Sequence, residues 1–220
     1  ADFSDSLILI GGTDGMLRYN TNSGISGPIS FTRKDIPPPM NVYRISKTKE
    51  KGWVAVAENG IYFINNQCEV FDYYGKDQKQ PDKKMPFTGI FDFYEDKEGI
   101  AWLATNGDGL IRWNWNVSHP MDASCFKRFS IQSGLPDNIL YRIEEDNANH
   151  LWISSYNGLV QFDKTNFTTK IYRTKDGLAN SEFNRISSFK DSDGWLYFGG
   201  QNGIDAFDPG KMKEDEKERM

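Results

Sequence analysis

The sequence predicts an all-β chain: a β-propeller of four-stranded antiparallel blades, with five repeat units visible and the ring incomplete or open. Three observations carry that prediction. A strand-like run followed by a glycine-opened apolar run recurs five times, around Gly15, Gly60, Gly109, Gly158 and Gly203, at spacings of 45, 49, 49 and 45 residues. β-type residues repeating with a period in this range build a stack of small sheets. Within a unit the runs are short, rich in β-branched and aromatic residues, and separated by short polar turns, which describes one propeller blade. The end units are partial, so they do not sum neatly to one blade that closes a ring.

The units fall at about 1–36, 37–86, 87–134, 135–180 and 181–210, followed by a charged tail or connector over 211–220. The first unit shows a second strand (LILIG), a third (MLRY) and a fourth (PISFT), but no clear first strand. Pro37, Pro38 and Pro39 read as a stiff connection to the next unit. The second unit reads NVYRIS, WVAVA, GIYFI and EVFDYY, with KTKEKG a solvated loop. The third reads GIFDFYED, IAWLAT, GLIRWNW and FKRFSI. The fourth is the cleanest. ILYRIEED places Ile139, Tyr141 and Ile143 on one face, NANH is a tight turn, and LWISSY and LVQFD flank the hairpin turn YNG. TKIYRT is then the outer strand. The fifth shows ISSFK, WLYFG and IDAFD, then stops at Pro209-Gly210. Eight of the last ten residues are charged, a solvated tail or a helical connector to a further domain.

Bulk properties narrow the function classes. The net charge is −5 and the basic residues are scattered, which argues against nucleic acid as a partner. No run of about twenty apolar residues exists to form a membrane-spanning helix. The chain begins in mid-pattern and reads as an excised fragment or a mature product. Its two cysteines, Cys68 and Cys125, fall at equivalent places in neighbouring units. Facing sheets lie about 10 Å apart, beyond the roughly 7 Å a disulfide tolerates, so both are expected as free thiols.

Aromatic residues make up 14% of the chain. Trp53, Trp102 and Trp152 read as matching second-strand positions, with Tyr197 their counterpart, and are expected to pack between blades. Trp113 and Trp115 are expected on one face of one strand. Trp115 has no counterpart in the repeat, which makes it a ligand or interface candidate. His119 and His150 fall in turns with no partner for a metal site or a nucleophilic pair. Asp191 to Gly194 has part of a calcium-loop pattern but reads as a hairpin turn. Among 31 carboxylates no spacing marks a glycosidase pair. No cofactor or metal is expected.

The polar hairpin tips between second and third strands carry Asn59, Asn106, Asp108, Tyr156, Asn157, Gln201 and Asn202. They share a face with the segments leading into each first strand, which carry Asn138, Asn180, Glu182, Asn184 and Arg185. Asn and Asp at turns often serve backbone geometry alone. The alternative is a ligand site of Asn106, Asp108, Tyr156, Asn157, Asn184, Arg185, Gln201 and Asn202 at the mouth of a central channel. Amides, a carboxylate and a guanidinium there suit an oligosaccharide, neutral or acidic.

Two segments carry a family resemblance. GLPDN (134–138) and GLANSEFN (177–184) each precede a blade, and the blades read EDNANHLWISSYNGLVQFD and KDSDGWLYFGGQNGIDAFDP. This pattern resembles the two-component regulator propeller repeats. The stretch from Asp96 to Trp102 also resembles the Asp-box of sialidase propellers, a structural turn. The first two units depart from the repeat by lacking the GLP segment, and the immunoglobulin-like domain that usually follows is absent. The resemblance implies the periplasmic, ligand-sensing region of a hybrid histidine kinase of Bacteroidetes type. It implies kinase domains attached in a longer protein; the polar channel mouth adds oligosaccharide or another small ligand as the partner, and the exposed faces and edges of an open ring would promote association, with a homodimer as one outcome. The chain itself would then not be an enzyme. The alternatives are a protein-interaction or oligomerisation scaffold and, less favoured, a propeller lyase or glycoside hydrolase.

Overall fold

The computed structural model describes residues 2–4 and 6–212. The expected charged tail falls almost wholly outside the described residues. Blade 1 comprises β1 (Asp2–Ser4), β2 (Leu7–Gly12), β3 (Gly15–Asn20) and β4 (Ile25–Pro28), paired in chain order. β5 (Ser30–Phe31) leaves that sheet for blade 2. There β6 (Val42–Lys47), β7 (Trp53–Ala57), β8 (Gly60–Ile64) and β9 (Glu69–Tyr74) pair in order, and β5 lies parallel along the outer edge of β9. Blade 3 is β10 (Ile90–Glu95), β11 (Ala101–Thr105), β12 (Leu110–Trp113) and β13 (Phe126–Phe129). Blade 4 is β14 (Leu140–Glu145), β15 (His150–Ser155), β16 (Gly158–Asp163) and β17 (Thr169–Tyr172). Blade 5 has three strands, β18 (Phe183–Lys190), β19 (Leu196–Gly200) and β20 (Gly203–Phe207). The helical pieces among the described residues are 3-10 turns of three residues each.

The core is four separate layers, one between each pair of neighbouring blades. Leu9 and Met16 of blade 1 meet Ala55 and Tyr62 of blade 2. Val54 and Ile61 meet Leu103 and Ile111, Trp102 and Leu110 meet Ile153 and Val160, and Trp152 and Leu159 meet Phe198. Successive residues of a strand point to opposite faces. An interior blade therefore buries both, and β7 and β11 are buried along their whole length. The inner strands β6, β10, β14 and β18 gather around one axis, where β18 also reaches β6. No comparable packing joins blade 5 to blade 1 among the described residues, so these five blades form an open arc.

Four strand-level expectations are corrected. A first strand does exist in unit one, though it is only Asp2–Ser4. The outer strand of that unit is Ile25–Pro28, and Ser30–Phe31 crosses to blade 2. Trp53 does not match Trp102 and Trp152. Its cross-strand partner is Ile64, whereas Trp102 and Trp152 face Arg112 and Gln161, one residue further along. That single step turns Trp53 toward blade 1, while the other two face the next blade. Lastly, β12 ends at Trp113, so Trp115 does not share its strand. Trp115 is buried, its ring stacks on Phe63 with centroids 5.4 Å apart, and its Nε1 donates to the Gly99 carbonyl at 3.1 Å. It belongs to the core layer between blades 2 and 3 and offers no ligand platform.

The turn joining first and second strands repeats one hydrogen-bond design. Asp96 Oδ1 accepts from the backbone of Glu98 and Ile100, and its Oδ2 accepts from Trp102 Nε1 at 2.7 Å. Asp146 does the same with Ala148, His150 and Trp152. Asp191 does it with Asp193, Trp195 and the Tyr197 hydroxyl. The Asp191 to Gly194 segment is thus a turn, as expected. Both cysteines are free thiols.

Candidate functional site at the end of the central axis

Each inner strand of blades 2 to 5 breaks register at the same place. The pairing skips a residue between Val42 and Arg44, between Ile90 and Asp92, and more widely between Leu140 and Ile143 and between Phe183 and Ser188. A bulge leaves its extra residue unpaired and re-aims it out of the pleat. The residues released are Tyr43, Phe91, Tyr141 with Arg142, and the segment 184–187 that carries Arg185. This also corrects the expected alternation in unit four, because the bulge returns Ile143 to the face of Leu140 and separates it from Tyr141.

These four side chains converge. Tyr43 meets Phe91 edge-on with centroids 5.4 Å apart, and Phe91 meets Tyr141 at 5.9 Å. The Arg185 guanidinium lies 5.4 Å from the centre of the Phe91 ring. Burial raises the Tyr43 and Tyr141 hydroxyls above their ordinary range, and the Arg185 charge opposes the rise at both. One exposed cation thus caps a three-ring collar.

Beneath the collar is a buried ionic network. Asp92 is fully buried; its Oδ1 lies 3.3 Å from Arg142 Nη1 and 3.6 Å from Arg44 Nε, and its Oδ2 accepts from the Ile143 amide at 2.9 Å. Arg142 Nη2 donates to the Tyr43 carbonyl at 2.6 Å. Arg44 Nη1 lies 3.5 Å from Glu144 Oε1, which accepts from the Ser188 hydroxyl at 2.7 Å. The network therefore ties all four inner strands. The Asp92 charge pushes Arg44 above its ordinary value. Burial pulls Arg142 below its own and raises the Glu144 carboxyl.

Of the residues expected to bind ligand, Arg185 is in the collar, and half-exposed Tyr156 stands at the hairpin tip of blade 4, its backbone N–H donating at 3.1 Å to the carbonyl of Ile139, two residues before Tyr141. Asn184 is exposed on the same bulge as Arg185, and Gln201 is exposed on the hairpin of blade 5. The others are engaged locally. Asn157 Nδ2 donates to the Pro136 carbonyl and Asn202 Nδ2 to the Ala179 carbonyl, each at 3.4 Å. Asn59, two blades back, does the same to Pro38 at 3.0 Å. These tips staple a hairpin to the segment that leads into its own blade. Asp108 lies 3.4 Å from Arg128, and Asn106 pairs with Ile139 through the backbone. Asn180 is buried, donating to Asp205 and accepting from the Asn202 amide. Sequence reasoning missed Tyr43, Phe91 and Tyr141. The visible signal was an aromatic at the same point of three first strands, read there as ordinary strand residues.

A cleft of about 640 Å³ opens elsewhere, between blades 4 and 5 on the side of the Asp turns. Three of its four carboxylates already have duties: Asp146 holds Trp152, Asp163 accepts from Thr165 and Asn166, and Asp208 caps Gly210, while Asp193 lies in the turn closed by Asp191. It is the space beside a blade with three strands. Among the described residues, no group of three or more His, Cys, Asp or Glu is gathered to hold a metal ion, and no helix is long and apolar enough to cross a membrane.

Comparison with known proteins agrees with this architecture. Residues 134–157, the GLPDN segment through the YNG turn, match the family model described as two component regulator propeller. The chain is 34% identical over 88 residues to histidine kinase P4 of Formosa agariphila, a match covering 40% of this chain and 6% of that protein. It superposes with a TM-score of 0.72 and 22% identity on the extracellular domain of BT3049, assigned to a hybrid two component system of B. thetaiotaomicron, covering 94% of this chain and 27% of that one. The extracellular domain of BT4673 from the same organism gives a TM-score of 0.74 at 17% identity, with 96% and 29% covered. The chain thus spans only a small part of the proteins it matches. The match at Gly134 to Asn157 makes the lead-in and first hairpins of blade 4 similar to the two component regulator propeller, and the solved structures share the propeller fold of the chain as a whole.

Proposed function

We propose that this chain is part of the periplasmic sensing region of a two-component receptor, and that its ligand docks on the collar of Tyr43, Phe91, Tyr141 and Arg185, with Tyr156 and Asn184 at the rim. The observation that carries this reading is the recurrent bulge, which spends ladder hydrogen bonds in four blades to aim these side chains at one point. Aromatic faces against an exposed guanidinium suit an oligosaccharide: rings stack on the sugar's C–H face, and the guanidinium forks onto a uronate or sulfate. The collar rests on the ionic network that ties blades 2 to 5, so occupancy would be felt by their mutual packing and relayed to kinase domains outside this chain. The role is binding and not catalysis, since Arg185 meets a ring there instead of an acid or base.

Calorimetry against neutral, uronate-bearing and sulfated plant and host oligosaccharides tests the proposal. Arg185→Ala should weaken the acidic ligands by about 1–3 kcal/mol, the range for a hydrogen bond to a charged group, and leave neutral ones nearly unchanged. The bound sugar should be recovered intact. Undiminished affinity in Arg185→Ala, or steady release of cleaved sugar, would overturn it.

A further inference from the structure

We propose that blades 2 to 5 hold a small monovalent anion, of halide size, on their common axis beneath the aromatic collar and against Arg142 Nε. The first observation is an orphaned donor. Only 4% of the Arg142 side chain is exposed. Its Nη1 and Nη2 are taken by Asp92 and by the Tyr43 carbonyl, but its Nε has no acceptor among the described residues. A buried donor left unpaired is costly, more so on a charged group. The atom calls for an acceptor that the protein does not supply.

The second observation is loose ion pairing. The network distances are 3.3 Å from Arg142 to Asp92, 3.6 Å from Arg44 to Asp92 and 3.5 Å from Arg44 to Glu144. Charge-assisted hydrogen bonds ordinarily close to about 2.7–2.9 Å, as Lys164 does on Glu145 at 2.7 Å. The two guanidiniums are thus shared out among carboxylates without saturating them. The third observation is charge balance. The charges acting on Arg142 are those of Asp92, Arg44 and Glu144. Burial disfavours the charge on Glu144, which leaves two guanidiniums facing Asp92. A buried charge needs both a counter-charge and filled hydrogen bonds, and one small anion supplies both. The collar rings touch their neighbours, with centroids 5.4 and 5.9 Å apart, so a sugar ring stays above them and the ion below is small. Arg44, with 21% of its side chain exposed, gives the ion access. The site is built from blades 2 to 5 alone: Ser188 of β18 bonds Glu144, and Arg44 of β6 reaches Ser188 at 3.4 Å. The ion would sit where all four inner strands meet.

Crystals of the 220-residue chain soaked in sodium bromide test this directly. An anomalous bromine peak should stand on the axis within hydrogen-bonding reach of Arg142 Nε. Urea unfolding then separates a site from binding at crystal concentration only. At a constant ionic strength of about 0.15 M, bromide should lower the unfolding equilibrium constant about tenfold relative to methanesulfonate, as for an ion at about ten times its Kd. Arg142→Lys keeps a charge beside Asp92 but has no Nε–H, and its two salts should differ by less than about twofold. If that variant does not fold, the wild-type peak and salt difference decide alone. Arg185→Ala, which removes the cation proposed to meet a sugar acid, should keep the full bromide effect, so the ion and the oligosaccharide stand or fall separately. Water on the axis with bromine only at the surface overturns the proposal. So do equal stability in the two salts, an undiminished bromide effect in Arg142→Lys, or its loss in Arg185→Ala.

Discussion

Asp96 shows how much a single side chain carries in this fold. Its carboxylate accepts from Trp102, Ile100 and Glu98 and lies 3.2 Å from the buried Lys164 ammonium, which also reaches Glu145 at 2.7 Å. Burial alone would raise the Asp96 carboxyl; the Trp102, Ile100 and Lys164 contacts overcome it and hold the group below its ordinary 3.8. A depressed carboxyl stabilises the fold fully above that ordinary value, and the stabilisation is lost as pH falls through the folded-state value. Asp96→Ala strands the buried Trp102 indole N–H, while Lys164 keeps Glu145 and Glu98, and should cost about 1–3 kcal/mol in urea unfolding. Asp96→Asn should flatten the acid limb of the stability profile. Asp191→Ala should cost much less, because Tyr197 is only partly buried where Trp102 is fully so. Glu144 runs with the opposite sign. Burial raises it above 4.5 despite Arg44 and Ser188, so stability is fullest below that value and is lost as pH rises through the folded-state value. Glu144→Gln should therefore gain on the wild type in the window that opens above pH 4.5. An unchanged difference across that window would place the Glu144 charge outside the stability balance.

The hairpin between second and third strands ties the repeat to the blade. The glycine opening the third strand has positive φ in all five units, but its surroundings differ. At Gly109, φ +80, an added Cβ would stand 2.2 Å from the Phe129 carbonyl of the outer strand. At Gly203, φ +119, it would meet nothing within 4 Å, because blade 5 has no fourth strand to crowd it. Gly203→Ala should cost the backbone penalty alone, about 1–2 kcal/mol. Gly109→Ala should cost about 1–3 kcal/mol more for the clash. Equal losses in paired thermal melts would refute the role given to the outer strand. This glycine spacing is what made the blades legible, since turn chemistry is local and survives in sequence. The register of Trp53 and the bulges at Tyr43, Phe91 and Tyr141 were not legible. Each is an offset of a residue or two in a period-two pattern, which reverses the face without altering composition. Trp115 misled for a related reason: an unrepeated aromatic can fill an unrepeated gap, here the space above Phe63.

At the scale of the whole molecule, the structure is a row of sheets whose layers grow from the ends inward. Stability in such arrays is a sum of unit and nearest-neighbour terms. Blades 2, 3 and 4 are each sealed on both faces, and the Arg44, Asp92, Arg142 and Glu144 network binds blades 2 to 5 around the axis. Blade 1 lies outside that network and is sealed on one face by Leu9 and Met16. Blade 5 is also sealed on one face and keeps the free edge of β20, though Ser188 ties it to Glu144. Local opening should follow that order. Native-state hydrogen exchange should find β11 and β15 opening only with global unfolding. The β8 amides should rank close behind, then β19, with β2 and β3 exchanging earliest. Terminal blades as protected as the central ones in dilute solution would mean that stability here is set by individual sheets and not by the layers between them.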